Sequence, residues 1–161
     1  MNKILNRTEL KEKLDALRQE GKKIAFTNGC FDLLHVGHVR YLKEAGKTAD
    51  VLVLALNSDS SVRAIKGLKR PLVPEQERAE ILAELECIDF ITIFSEPTPL
   101  ELICLLKPDV LIKGGDWAEE QVVGRNEIRQ WGGRVEIIPE VVGRSTTNIV
   151  DKVLAVYGSE K

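Results

Sequence analysis

At 161 residues with a formal net charge of −2, the chain is sized for one compact domain around a single core, and it carries no global field that would draw in a nucleic acid. Its three cysteines, Cys30, Cys87 and Cys104, show no CxxC spacing, which speaks against a disulfide framework or structural zinc site and for reduced thiols in the cytoplasm. The longest apolar runs, 51 to 56 and 110 to 112, fall far short of the roughly 20 residues a bilayer demands, and the first residues lack the features of a secretory signal, so a cytoplasmic protein without membrane association is expected.

Leu10, Leu14 and Leu17 recur at helical spacing in a charged segment, with Thr8 placed to cap it and Gly21 to end it. Residues 8 to 20 are therefore expected to form an amphipathic helix on the outside of the fold. Residues 23 to 27 have the apolar run of a short buried strand, and 37 to 45 the pattern of a helix. The alternation continues with strand 51 to 57, helix 75 to 85, strand 90 to 94, helix 99 to 106, strand 110 to 113, helix 119 to 130, strand 134 to 138 and helix 146 to 156. Apolar runs between helices, without strict alternation of polarity, imply strands covered on both faces. The expected architecture is a doubly wound, Rossmann-like α/β domain over 1 to 161 with a parallel five-stranded sheet.

Such sheets bind ligands beyond the carboxyl ends of their strands, where the connection order reverses. The segments to inspect are 28 to 38, 57 to 74, 113 to 118 and 139 to 147. The first contains Gly29, Cys30, Phe31, Asp32 and then His35-Val36-Gly37-His38, the chain's only two histidines, at the start of a helix. Histidines three apart share one side of the first turn, where free N–H groups and the positive end of the helix dipole favour a phosphate. The structural alternative is that His35 caps the helix and His38 is a surface residue. A zinc site would need three or four ligands, and only Asp32 stands close in sequence.

The second segment carries Arg63, Lys66, Lys69 and Arg70, which either close over a triphosphate or form a solvated charged loop. Arg78 begins a helix, where a cation opposes the dipole, so a ligand or a carboxylate partner would account for it. In the third, Gly114 and Gly115 permit close backbone approach, Asp116 either contacts a ligand or caps a helix, and Trp117 lines a sugar pocket or packs in the loop. Ser145, Thr146 and Thr147 precede the last helix and suit phosphate oxygens, although one such residue suffices for a cap. Gly46-Lys47-Thr48 imitates the end of a Walker A loop, but Tyr41 stands where the first glycine belongs.

The run Gly29-Cys30-Phe31-Asp32-Leu33-Leu34-His35-Val36-Gly37-His38 resembles the signature of the cytidylyltransferase-like nucleotidyltransferases, in which the two histidines contact the triphosphate. The resemblance covers about residues 22 to 156. Asn57-Ser58-Asp59 is similar to the end of the family's second strand, Lys66 and Arg78 to its basic positions, Lys113-Gly114-Gly115-Asp116-Trp117 to its nucleotide-holding loop, and Gly143-Arg144-Ser145-Thr146-Thr147 to its late Ser/Thr motif. Segments 70 to 74, 85 to 89 and 107 to 116 bring the chain nearest to one branch, the adenylyltransferases of ADP-heptose synthesis. Glycerol-phosphate cytidylyltransferases are similar too, but they have an arginine ahead of the late motif where this chain has Glu140, with Arg144 inside the motif instead.

What the resemblance implies is transfer of AMP from ATP to a sugar 1-phosphate, a heptose 1-phosphate, with release of pyrophosphate. His35, His38 and Lys66 would be catalytic. Gly29, Cys30, Phe31, Gly37, Arg78, Gly114, Asp116, Ser145, Thr146 and Thr147 would hold the nucleotide, and Asp32, Asn57, Lys113, Trp117 and Arg144 the sugar phosphate. Magnesium would arrive with ATP and have no dedicated protein ligands. A homodimer and a separate upstream sugar kinase complete the expectation. The alternatives are a CTP-dependent enzyme acting on glycerol 3-phosphate or another polyol phosphate, and a nucleotide-binding module without turnover.

Overall fold

The computed structural model describes residues 2–115, 118–139, 143 and 145–158. Five parallel strands, β1 (Ile24–Gly29), β2 (Val51–Asn57), β3 (Phe90–Phe94), β4 (Val110–Gly114) and β5 (Arg134–Ile138), pair in the order β3-β2-β1-β4-β5. This is the doubly wound sheet expected from the alternating apolar runs. The chain builds outward from β1 to β3 on one side and then returns to pair β4 with β1 on the other. The reversal leaves a crevice at the exits of β1 and β4, and the histidine segment follows β1 directly.

All seven residues of β2 are buried, and their alternation supplies an apolar layer on each face of the sheet. Val51, Val53 and Ala55 join Leu10, Leu14, Phe26 and Leu102 on one face; Leu52, Leu54 and Leu56 join Leu42, Leu82 and Ile88 on the other. The first face is covered by α1 (Arg7–Gln19) and α5 (Leu100–Leu106), the second by α2 (Val36–Gly46) and α4 (Glu75–Ala83). Leu10 and Leu14 are fully buried, each worth roughly 1.5–3 kcal/mol of transfer free energy. Ahead of α1 the chain runs beside β3, with Leu5 N–H donating to the Ile91 carbonyl at 2.9 Å and Ile91 N–H to that of Lys3 at 2.8 Å.

Three local expectations need correction. The first helix is capped by Asn6, not Thr8: the Asn6 side chain accepts from the N–H groups of Thr8 and Glu9, while Glu9 accepts from the Asn6 N–H. Part of the 57 to 74 segment is helical, α3 (Asp59–Lys66), with Ser58 as its cap. The helix expected over 119 to 130 is broken into a 3-10 turn, Glu119–Gln121, and α6 (Arg125–Gln130). Gly124 between them has φ +90°, and a Cβ there would lie 2.8 Å from Ile103 Cδ1; the chain must turn tightly at that point to pass over α5.

Candidate active site

His35 ends the β1 exit loop as the N-cap of α2, its Nδ1 accepting the Gly37 N–H at 3.1 Å. With Nδ1 accepting, the proton of the neutral ring belongs on Nε2, which makes that edge a donor. One turn on, the His38 ring stacks on His35 with centroids 3.9 Å apart. Phe31, at φ +45°, turns its ring to within 5.2 Å of His38. His38 Nδ1 is buried without a hydrogen-bond partner among the described residues. Burial, and after it the nearby His35, push the His38 pKa down to about 4, so without ligand the His38 ring is neutral at the head of α2.

The late motif meets this pair. Ser145 caps α7 (Thr146–Tyr157) by accepting the Asn148 N–H, and Thr146 Oγ1 donates to the Leu33 carbonyl inside the histidine loop at 3.2 Å. His35, Gly143 and Ser145 line one cleft of about 560 Å³. The N-termini of two helices of 11 and 12 residues thus bound the same space, and both favour an anion. Thr147 is exposed on the first turn of α7.

The basic segment reaches the histidine loop through Arg70, which pairs with Asp32. Lys66 is exposed at the last residue of α3, and Gly67 with φ +93° turns the chain away behind it. Burial pushes the Cys30 thiol up, against the opposing charges of Lys66, Arg78 and Arg70. Cys30 stays a thiol, with no call on it as a nucleophile.

Several residues expected to touch ligand do other work. The Arg78 side chain has no exposed surface, and every guanidinium nitrogen donates to protein, Nε to the Val73 carbonyl at 2.9 Å, one terminal nitrogen to the Cys30 carbonyl and the other to Asp59 at 2.8 Å. The carboxylate alternative is the one realised. Asp32, also proposed as a substrate contact, is 4% exposed and accepts from the Leu72 and Val73 N–H groups and from Arg70. Burial works to raise its carboxyl, but those hydrogen bonds outweigh it and hold it below the usual carboxylate range. Asn57 is buried with its amide donating to Ser61 Oγ at 2.9 Å, bracing the first turn of α3.

The glycines likewise have internal reasons. A Cβ on Gly29 would meet the Phe31 ring at 2.7 Å, and one on Gly114 the Tyr41 ring at 3.1 Å. Tyr41 in turn shares a 2.6 Å hydrogen bond with Thr27. Gly37 is buried inside the first turn of α2. Lys113 is largely buried at the end of β4, which lowers its pKa, and its Nζ lies 3.5 Å from Asn28 Oδ1. The Asn28 side chain at the β1 exit was not anticipated, although its polarity at the end of an apolar strand was a visible signal. Asp116, Trp117 and Arg144 lie outside the described residues. No group of three or more His, Cys, Asp or Glu is arranged for a metal among the described residues.

Known proteins resemble this chain in sequence and in fold. Two relatives named bifunctional protein HldE are 60% identical over 98% of this chain in Geobacter metallireducens and 55% identical over 99% of it in Trichlorobacter lovleyi. The chain spans 32% and 33% of their lengths. The crystal structure of a lipopolysaccharide core biosynthesis protein from Thermoplasma volcanium matches with a TM-score of 0.62 at 29% identity, over 75% of this chain and 98% of that one. Pantoate-beta-alanine ligase from Francisella tularensis shares the fold, with a TM-score of 0.62 at 16% identity over 94% of this chain and 78% of that one. The family described as cytidylyltransferase-like matches residues 26–155, a span that holds the stacked histidines, the basic segment and the capped start of α7; the chain belongs to that family.

Proposed function

We propose that the protein transfers AMP from ATP to a heptose 1-phosphate, giving ADP-heptose and pyrophosphate. The observation that carries the transfer chemistry is the stacked histidine pair at the head of α2, whose His35 shares one cleft with the capped start of α7. The heptose and the choice of ATP rest on the likeness of segments 70 to 74, 85 to 89 and 107 to 116 to the ADP-heptose branch, and on relatives 55–60% identical.

In this scheme an oxygen of the sugar phosphate attacks the α-phosphorus, and the bond from that phosphorus to the α–β bridging oxygen breaks in line. A phosphate monoester is largely dianionic at pH 7, its second pKa being about 6, so no general base is required. His35 and His38 stabilise charge developing on the α-phosphate and the leaving group, a positional and electrostatic contribution. Lys66 holds the outer phosphates, and the hydroxyls and N–H groups at the start of α7 complete the cradle. Magnesium enters as part of the nucleotide substrate, coordinated by triphosphate oxygens; Asp32 and Asp59 are already paired with Arg70 and Arg78. The enzyme works in the cytoplasm, as a homodimer, downstream of a sugar kinase that makes the 1-phosphate.

Pyrophosphate release measured over a matrix of nucleotides and sugar phosphates tests the assignment. ATP with heptose 1-phosphate is expected to exceed CTP by at least about tenfold in kcat/KM, a discrimination that a few base contacts can supply. The free sugar and the 7-phosphate should be inert. Turnover of CTP with glycerol 3-phosphate alone would reassign the substrates and keep the chemistry; nucleotide binding with no pyrophosphate from any pair would make the chain a binding module.

Lys66→Ala is expected to raise the KM for ATP and lower kcat together, since a triphosphate clamp acts in both ground and transition states. The combined loss should be about 1.5–3 kcal/mol, the scale of a hydrogen bond to a charged group. Lys69→Ala should do less, and steady-state kinetics showing the reverse order would move the clamp to Lys69.

A further inference from the structure

We infer that Arg78 and Asp32 are positioning residues, which lock the 67–74 segment onto the histidine loop and so set the relation of Lys66 to His38. The inference rests on the proposed function for its kinetic part and on geometry alone for the rest.

The 67–74 segment has no regular structure, and little of it is held by apolar packing: Leu68 is 89% and Leu72 51% exposed. Its anchors are polar. The Leu72 and Val73 N–H groups donate to the Asp32 carboxylate at 2.8 and 2.9 Å, and Arg70 pairs with the same carboxylate. From the opposite side Arg78 takes the Val73 carbonyl. Two hydrogen-bonded residues of the histidine loop therefore grip one short stretch: Asp32 directly, and Cys30 through its carbonyl on Arg78.

Phe31 sits between those two grips, in the left-handed backbone region, with its ring against His38. Its conformation is sparsely populated for a residue with a side chain, so fixed neighbours on both sides are what hold the ring in place. Arg78 also pairs with Asp59 at the first turn of α3, the helix that ends in Lys66. One buried guanidinium thereby ties together the loop before His38, the helix before Lys66 and the segment after it. The location itself needs this explanation. A cation in the first turns of α4 opposes the helix dipole, and a buried charge is tolerated only when paired and hydrogen-bonded.

The test compares wild type, Asp32→Asn, Arg70→Ala, Arg78→Lys and Arg78→Ala as full chains. Hydrogen exchange without nucleotide reads the lock directly, and kinetics read its consequence. Asp32→Asn and Arg70→Ala are expected to speed exchange of the 67–74 amides by about tenfold or more while leaving peptides of α1 and β2 as in wild type, the signature of local opening. Saturating ATP should restore part of that protection. The kinetic expectation is a rise in the KM for ATP and a fall in kcat, since only the fraction with Lys66 in place binds productively. Arg78→Lys keeps the charge but not the three-way fork, and should not rescue Arg78→Ala.

A purely structural role predicts the opposite split, with melting temperature lowered, exchange faster everywhere and kcat per folded molecule unchanged. That result would overturn the inference. So would exchange over 67–74 and kcat/KM staying within about twofold of wild type in both Asp32→Asn and Arg70→Ala. These two variants decide the matter if the Arg78 variants do not fold. Wild type that releases no pyrophosphate would refute the proposed function, while the exchange data would still decide the lock.

Discussion

His38→Ala is expected to lower kcat by about 10²- to 10³-fold while changing the KM for ATP much less, the scale of losing one donor aimed at charge that develops in the transition state. The ring is held for such a role by the stacked His35 on one side and Phe31 on another, and its buried Nδ1 has no protein partner among the described residues. An unchanged kcat would remove His38 from the mechanism. The ligand-free ring, with its pKa near 4, is neutral at pH 7. A triphosphate beside it supplies the opposite charge and reverses that shift. ATP binding near pH 6 should therefore take up protons, and His38→Ala should lose part of that uptake, as measured by calorimetry in buffers of unequal ionisation heat. The stability effect has a fixed sign. Because the native pKa lies below the unfolded value of 6.5, the contribution of neutral His38 is fully present above pH 6.5 and fades as pH falls toward 4.

How much of this was legible beforehand depended on whether the deciding contact was local. β2 was plain because both its faces are buried, so Val51 to Leu56 is an unbroken apolar run. The histidine pair was plain because the spacing alone puts both rings on one turn. α3 was hidden because Asp59-Ser60-Ser61-Val62-Arg63-Ala64-Ile65-Lys66 is only 8 residues long, and its start is fixed by side-chain caps from Ser58 and from Glu75, sixteen residues beyond Asp59. The break before α6 is set by Gly124 passing Ile103, a contact that periodicity cannot report.

The same distinction sorts the site. Asp32 and Arg78 have the composition of ligand contacts, charged groups near glycines and a helix start. What removes them from the surface is pairing across long intervals, Asp32 with Leu72 and Arg78 with Cys30. Sequence spacing carries no trace of either pair. The place of Arg78 at a helix start called for a carboxylate or a ligand, but which one, and that its side chain has no exposed surface, depends on contacts far along the chain.

The other large effect separates two roles of His35. As N-cap it accepts the Gly37 N–H, and asparagine can do the same, whereas alanine cannot and should cost about 0.5–2 kcal/mol of stability. As donor to the triphosphate it needs the far edge of the imidazole, which neither replacement supplies. His35→Asn and His35→Ala are both expected to lower kcat by about 10²-fold or more, while only His35→Ala lowers the melting temperature. Retained activity in His35→Asn would make His35 a cap and nothing else. The asparagine variant also leaves His38 as the single histidine of the chain, so its titration can be followed by NMR without assignment. With the stacked ring gone, both causes of its shift weaken: the ring is less desolvated and no second imidazole opposes its charge. Its pKa should move up from about 4 toward the ordinary histidine value, and a pKa that stays in place would mean that the stack contributes nothing to the neutrality of His38.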